Sequence, residues 1–457
     1  MLNFVKIPLK NSVMKRLFLI LAIVITLPLT LLAENKTKHT EWRFVAQNKE
    51  GATGAEFIKD GRYAPTVGEN AWIRFESSNP IARPSLTKRS EPICSNTQKG
   101  DCWIFELQVD DLKKGSIVDF WCPFHSYPTG TGHRFAVEYL DGKKWLPLMP
   151  TEEDGTNFRT SKTSKSEYFW QSFRLHKTIK EGLLSIRIRQ IEEHVGACYI
   201  TGGNRYPQIT IYPKMKTREK TRILFIGNSY TYYNNYPYIF KEIAMSEGHF
   251  VDCWMCEKGG WTMTKHMAYK PTIEAVEKGG YDYVFLQDQS YERVFSGTEN
   301  DYGSLKGMTD IAAWVRKYSP KAEPIIALTW GRKHGGNHLR KQDLPLVEKY
   351  PSFFASFEHM QARLNEVVEI EAKAIDAKIA QQGPAWQIAR HERPDIELYV
   401  KDGSHPSYAG SYLAAAVSYL TIFGEPFGED TSNGTLDAEV AKYLRSVAER
   451  VVLKGER

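Results

Sequence analysis

The second half of this chain is punctuated by short apolar runs, and segments of helical periodicity lie between them. Ile223-Leu-Phe-Ile and Tyr283-Val-Phe-Leu show no polar alternation, as a strand buried on both faces of a parallel sheet requires. Val251 to Met255 and Pro324-Ile-Ile-Ala-Leu-Thr read as two further strands. Helical periods cover Asn235 to Glu247, Ile311 to Tyr318, Phe357 to Ala374, Tyr408 to Phe423 and Asp437 to Val452. Strand and helix alternate throughout, which predicts a doubly wound α/β domain over residues 221–457.

The first half has a different texture. Trp72-Ile-Arg-Phe-Glu, Cys102-Trp-Ile-Phe-Glu-Leu-Gln-Val, Ser116-Ile-Val-Asp-Phe-Trp-Cys and Leu184-Ser-Ile-Arg-Ile-Arg alternate or are rich in β-formers. Asp141-Gly142 between Ala136-Val-Glu-Tyr-Leu and Lys143-Lys-Trp-Leu predicts a type I′ hairpin. No long helical period competes, so residues 40–213 are expected to form an antiparallel β-sandwich of jelly-roll type. The polar stretch from Pro213 to Lys220 marks the boundary, with residues 214–220 as linker.

Residues Leu17 to Leu32 are apolar but for two threonines, follow Lys15-Arg16 and end in Leu-Leu-Ala before a polar stretch. That layout predicts a secretory signal peptide over residues 1–33, and with it a periplasmic or secreted protein. The run is short for a membrane span of about 20 residues, so no stable membrane insertion is expected after cleavage. Four of the six net positive charges, on Lys6, Lys10, Lys15 and Arg16, precede or begin this segment, and their removal leaves two. No dense basic stripe appears elsewhere, which argues against a nucleic-acid partner. The 6 cysteines suit an oxidising compartment. Cys94 with Cys102 is a plausible local bridge, three pairings of the four cysteines in the first half stay open, and Cys253 and Cys256 read as packed or bridged structural residues.

Residues just after buried strands are the first suspects for chemistry, because open α/β sheets bind ligands at the carboxyl ends of their strands. Gly227-Asn228-Ser229 follows the first run directly, where helix-terminal N–H groups can stabilise negative charge. Asp402-Gly-Ser-His405 precedes the helix that begins near Tyr408. Serine needs a base to become a nucleophile, histidine titrates in the right range, and a carboxylate fixes its tautomer.

Together these segments resemble the SGNH hydrolases, also called GDSL-like esterases, in a Bacteroidetes-type subgroup with an N-terminal β-domain. The resemblance covers about residues 221–425 and implies a flavodoxin-like three-layer α/β/α fold with Ser229, Asp402 and His405 as the catalytic triad. It further implies an oxyanion hole built from the N–H groups of Ser229 and Gly260, with Gly259 as fallback, and a side-chain amide. That amide falls on Gln289, with Gln287 as the alternative. Two departures from the family pattern stand out. Asn228 replaces the usual aspartate, keeping a turn hydrogen bond while removing a charge, and Gln289 replaces asparagine. No metal or cofactor is implied.

Trp330 and Trp386 fall on loops expected to face the site, where either could stack on a sugar or belong to the core. Asp288 reads as a solvated loop charge more readily than as a buried acid supporting the site. His334 and His338 have i, i+4 spacing, but Gly335-Gly336 between them argues against a helical zinc site. A β-sandwich ahead of such a domain resembles carbohydrate esterases, so the expected substrate is an acylated, foremost O-acetylated, oligo- or polysaccharide. Trp42, Trp72, Trp103, Trp121, Trp145 and Trp170 could give the first domain a stacking platform or simply its core. A lipid or thioester hydrolase of the same family is one alternative, and a glycan-binding protein with a degenerate hydrolase domain is the other.

Overall fold

A computed structural model describes residues 38–42, 62–63, 68, 70–78, 83–86, 92–127, 134–147, 157–159, 167–175, 177–192, 196–199, 207–212, 215–216, 219–336 and 344–456. The expected signal peptide and His338 lie outside these residues. The chain divides into two compact units, Met1–Lys214 and Met215–Arg457. Among the described residues no helix is long and apolar enough to cross a membrane.

In the first unit, two antiparallel sheets of seven strands each enclose one core. Pleating sends alternate side chains of Cys102–Leu112 to opposite faces. Trp103, Phe105, Leu107 and Val109 enter the core, where Val118, Phe120 and Cys122 of Ile117–Tyr127, from the other sheet, also lie. On the opposite face Glu106 accepts two hydrogen bonds from Arg74, at 2.9 and 3.0 Å, and Glu138 takes both Arg187 and Arg189. Trp42, Trp103 and Trp121 are buried, so half of the six candidate platform tryptophans serve the core. The predicted hairpin is present, but Asp141 pairs with Lys144, so the loop residues are Gly142 and Lys143. Only Gly142 has positive φ, which excludes type I′. Cys102 is a free, buried thiol, so the Cys94–Cys102 bridge does not form, and Cys94 instead faces Cys198 in strand register; Cys122, Cys253 and Cys256 are buried as well.

The second unit is built on five parallel strands: β1 (Thr221–Gly227), β2 (Val251–Glu257), β3 (Tyr283–Leu286), β4 (Glu323–Ala327) and β5 (Lys378–Ala380). Their order is β2-β1-β3-β4-β5, the flavodoxin-like sequence of strands. Leu224 and Ile226 of β1 face one core with Val284, Leu286 and Ile326, and this core also takes Met308, Ile311 and Val315 of α6 (Ser304–Tyr318) and Leu364 and Val368 of α7 (Phe357–Ile375). Phe225 points the other way and meets Tyr236 and Phe240 of α2 (Tyr236–Ser246) edge-on. Helices on both faces explain why β1 and β3 carry uninterrupted apolar runs. The order reverses around β1, and the site therefore falls beyond the carboxyl ends of β1 and β3.

Candidate active site

Strand β1 ends at Gly227, and the turn after it has no room for a side chain there. A Cβ on Gly227 would lie 2.2 Å from Thr231 Oγ1 and 2.8 Å from Gln287 Oε1. Ser229 then opens the one-turn helix α1 (Ser229–Tyr232), capped by Asn228, whose Oδ1 accepts from Tyr230 N at 3.2 Å. Asn228 also donates through Nδ2 to the Trp261 carbonyl at 3.0 Å. An ionised aspartate cannot make that second bond, which gives the departure at this position a structural reason.

His405 reaches Ser229 from the loop ahead of the helix Tyr408–Phe423. Val400 N donates to the His405 carbonyl at 3.0 Å, and Ser407 caps the helix through Gly410 N, so the loop is pinned at both ends. His405 Nδ1 donates to Asp402 Oδ2 at 2.5 Å, and Nε2 is left to accept the Ser229 hydroxyl at 2.8 Å. Burial pushes the Asp402 carboxyl up, but the His405 ring and the Ser404 and His405 N–H groups outweigh it and hold the group below the usual carboxylate value. Asp402 is thus anionic at neutral pH and fixes the tautomer that leaves Nε2 unprotonated. Tyr233 stacks on the His405 ring at 4.4 Å between centroids.

The cleft encloses about 350 Å³ and is lined by Ser229, His405, Gly259, Gly260 and Gln289, together with Asn228, Tyr230, Tyr232, Tyr233, Ser290, Arg332 and Ser404. Gly260 has φ +71 and sits third in the turn Lys258–Trp261, closed by Trp261 N donating to Lys258 O, a position that demands positive φ. Gln289 follows β3 and caps α5 (Ser290–Arg293) by accepting from Glu292 N at 2.8 Å through Oε1. This turns its Nε2 away from the helix. Among the described residues neither that Nε2 nor the N–H groups of Ser229 and Gly260 has an acceptor within the protein. Gln287 is buried beneath the turn: its Oε1 accepts from Asn228 N and Thr231 Oγ1, and its Nε2 donates to the Asp288 carbonyl.

Asp288 is fully buried, which overturns its reading as a solvated loop charge. One carboxylate oxygen accepts from the N–H groups of Met263 and Gln289, joining the loop after β2 to the loop after β3. The other lies 2.6 Å from Ser304 Oγ, which is also 2.6 Å from Glu371 Oε1. One hydroxyl proton cannot serve two carboxylates, so a second proton resides on this chain. Burial pushes the Glu371 carboxyl up, against the lowering influence of Arg293 and Ser304. Arg293 approaches Glu371 at 3.0 Å, off the hydrogen-bond angle, and donates to the Ala327 carbonyl.

Trp330 and Trp386 do not face the cleft. They are 1% and 0% exposed, stack on each other at 3.9 Å, and Tyr230 stacks on the far face of Trp330 at 4.9 Å. No face is left for a sugar, and Trp330 Nε1 is spent on the Ser404 carbonyl. They are core residues beneath the site, not substrate platforms. His334 is exposed. Three residues that matter went unread. Tyr233 and Arg332 line the cleft, and His266, wholly buried, donates from Nε2 to the Gly227 carbonyl while Nδ1 accepts from Thr272. Burial lowers the His266 pKa, consistent with a neutral ring. Tyr233 stood within four residues of Ser229 and was legible as a neighbour; nothing in the sequence marked Arg332 or His266.

No family model matches the chain, and no curated protein does. Solved structures do. A DUF4886 family protein from Bacteroides uniformis is 18% identical, with a TM-score of 0.42, over 52% of this chain and 97% of its own. A family two carbohydrate esterase from Clostridium thermocellum, an active site mutant bound to a cello-oligosaccharide, is 14% identical, with a TM-score of 0.31, over 77% of this chain and 96% of its own. A peptidoglycan O-acetylesterase is 12% identical, with a TM-score of 0.30, over 83% and 80%. Likeness at this level assigns no activity, and only the chain's own geometry can carry one. By its strand order and the helices on both faces of its sheet, the second unit has a flavodoxin-like three-layer α/β/α fold, the fold that the resemblance read from the sequence implies.

Proposed function

We propose that the chain is a serine esterase that removes short acyl groups, foremost O-acetyl, from carbohydrate. One observation carries the reading: His405 hydrogen-bonds Asp402 and Ser229 through its two ring nitrogens, in a cleft also lined by Gly260 and Gln289, whose N–H groups, with that of Ser229, have no acceptor among the described residues. In this reading Nε2 takes the Ser229 proton as Oγ attacks the ester carbonyl. The Ser229 and Gly260 N–H groups and Gln289 Nε2 hold the oxyanion, a service worth about 3–4 kcal/mol per donor. Collapse of the intermediate expels the sugar oxygen, which takes its proton from His405. Water, activated by the same ring, then releases the acid.

Two features favour a short acyl group on a sugar over a lipid. Among the described residues no aliphatic side chain lines the cleft, whereas a long acyl chain needs an apolar wall, and three tyrosines line it. The signal-peptide layout adds export to where such glycans are met. The deciding experiment follows acetate release from acetylated glycans and an aryl acetate by the wild type and Ser229→Ala. Turnover that falls about 10³-fold or more in the variant supports the reading. Wild type inactive on acetyl and longer acyl esters, yet still binding a glycan, would return the chain to the binding proteins.

A further inference from the structure

We infer that the sugar is an acid, and that Arg332 is the subsite for a carboxylate lying close to the acylated hydroxyl. The inference rests on the esterase reading and narrows its substrate to acyl esters of uronic acids or similar carboxylated sugars. Arg332 lines the same cleft as Ser229 and His405, and among the described residues no carboxylate lines that cleft with it. Among the described residues no acidic group lies within 4.0 Å of its guanidinium, and its Nε is buried without an acceptor. Two cations close to it are treated differently: the adjacent Lys333 pairs with Glu397, and Arg363 pairs with Glu366.

Arg332 is also held in place. Its backbone N donates to Met360 Sδ at 3.3 Å, which fixes the main chain, and the guanidinium carbon stands 5.6 Å over the Tyr291 ring, itself buried. A guanidinium lying over a ring leaves its edges unstacked, and here Nε is sealed while the two Nη groups, which have no acceptor among the described residues, are the donors left to a carboxylate. A partly buried cation left without a counter-ion is unfavourable, and a substrate carboxylate relieves it. The cleft volume of about 350 Å³ lies at the small end for ligand pockets, which places that carboxylate on the same sugar as the ester.

The test uses a matched pair, the methyl glycosides of 4-O-acetyl-glucuronic acid and 4-O-acetyl-glucose, with the wild type, Arg332→Gln and Arg332→Lys. The wild type should prefer the uronate in kcat/KM by about 10- to 100-fold, chiefly through KM, as expected for a charge-assisted hydrogen bond. Arg332→Gln should bring the ratio near one, Arg332→Lys should keep part of it, and added salt should shrink it. A wild-type ratio near one, or the same ratio in Arg332→Gln, overturns the subsite. If these esters and an aryl acetate are all untouched, the esterase reading fails by itself. Calorimetric binding of glucuronate then decides the subsite: binding that Arg332→Gln abolishes sustains it, and absent or equal binding ends it. Tighter binding of glucose 6-phosphate than of glucuronate would overturn the carboxylate assignment.

Discussion

Asn228→Asp restores the residue usual in the family that this sequence resembles, and the structure predicts that it is harmful here. Asn228 is 3% exposed, and its Nδ2 donates to the Trp261 carbonyl at 3.0 Å. In the variant an ionised carboxylate oxygen faces that carbonyl without a proton. Losing the hydrogen bond costs about 0.5–1.5 kcal/mol, and leaving a buried charged oxygen against an acceptor adds about 1–3 kcal/mol. The new charge at a helix N-terminus returns about 0.3–1 kcal/mol, and for a one-turn helix the lower figure applies. The net loss is about 1–4 kcal/mol, or a fall in Tm on the order of 2–16 °C for a unit of this size. Trp261 closes the turn that carries Gly260, so the oxyanion donor shifts with it, and kcat should drop by up to about 10²-fold. The pH dependence has a definite sign. Only the protonated acid can donate to Trp261, so the folded pKa is raised above the unfolded value of about 3.9. Stability relative to wild type is then retained below that value and lost as pH rises through the folded one. Thermal melts at pH 8 and pH 5, with kcat at pH 8, measure both effects. A variant that melts with wild type at pH 8 and keeps kcat within about twofold would show the bond to Trp261 to be dispensable.

Gln289→Glu keeps the oxygen that caps Ser290–Arg293 but removes the N–H, so it should melt like wild type while kcat falls about 10²–10³-fold; a near wild-type kcat would remove Gln289 from the oxyanion hole. Trp386→Ala should cost about 3–5 kcal/mol of stability in a urea titration, the price of a large cavity, and Trp386→Phe should leave KM unchanged because the ring never meets the cleft. A tenfold rise in KM in the stable variant would reinstate it as a substrate contact. Burial holds the His266 pKa below its ordinary 6.5, so the stability tied to its neutral form is complete above that value and is lost as pH falls through the folded value. His266→Gln, which can still donate to the Gly227 carbonyl, should lack that slope when urea midpoints are compared between pH 8 and pH 5.

Much of the second unit was legible because burial on both faces leaves a strong mark. The runs at Ile223–Ile226 and Tyr283–Leu286 fall within or coincide with β1 and β3. Strand β5 has three residues and no period to detect, and it was not predicted. Ser229, Asp402 and His405 could be singled out only together, through the family that their order resembles, because a Gly-Asn-Ser turn or an Asp-x-x-His spacing alone is common; the structure places the three side chains in one hydrogen-bonded chain. Where a loop side chain points is a different matter, since it depends on elements far away in sequence. Trp330 and Trp386 each follow a strand, as cleft residues do, yet each finds the other's ring across 55 intervening positions and turns inward.

The same ignorance of direction affected the loop charges, with opposite results. Asp288 looked solvated and is sealed beneath the cleft, where backbone N–H groups and Ser304 satisfy both of its oxygens. Arg332 attracted no notice and stands at the cleft with no anion offered to it by the described residues. A buried charge met on every side is doing structural service: removing Asp288 would free the Met263 loop from the Gln289 loop, and with them two of the three unpaired donors. A charge held over a ring and met by no anion among the described residues costs the folded protein something. Such a charge is best explained by what binds there, and it is the contrast between these two residues, more than either alone, that points from the fold to the chemistry of the substrate.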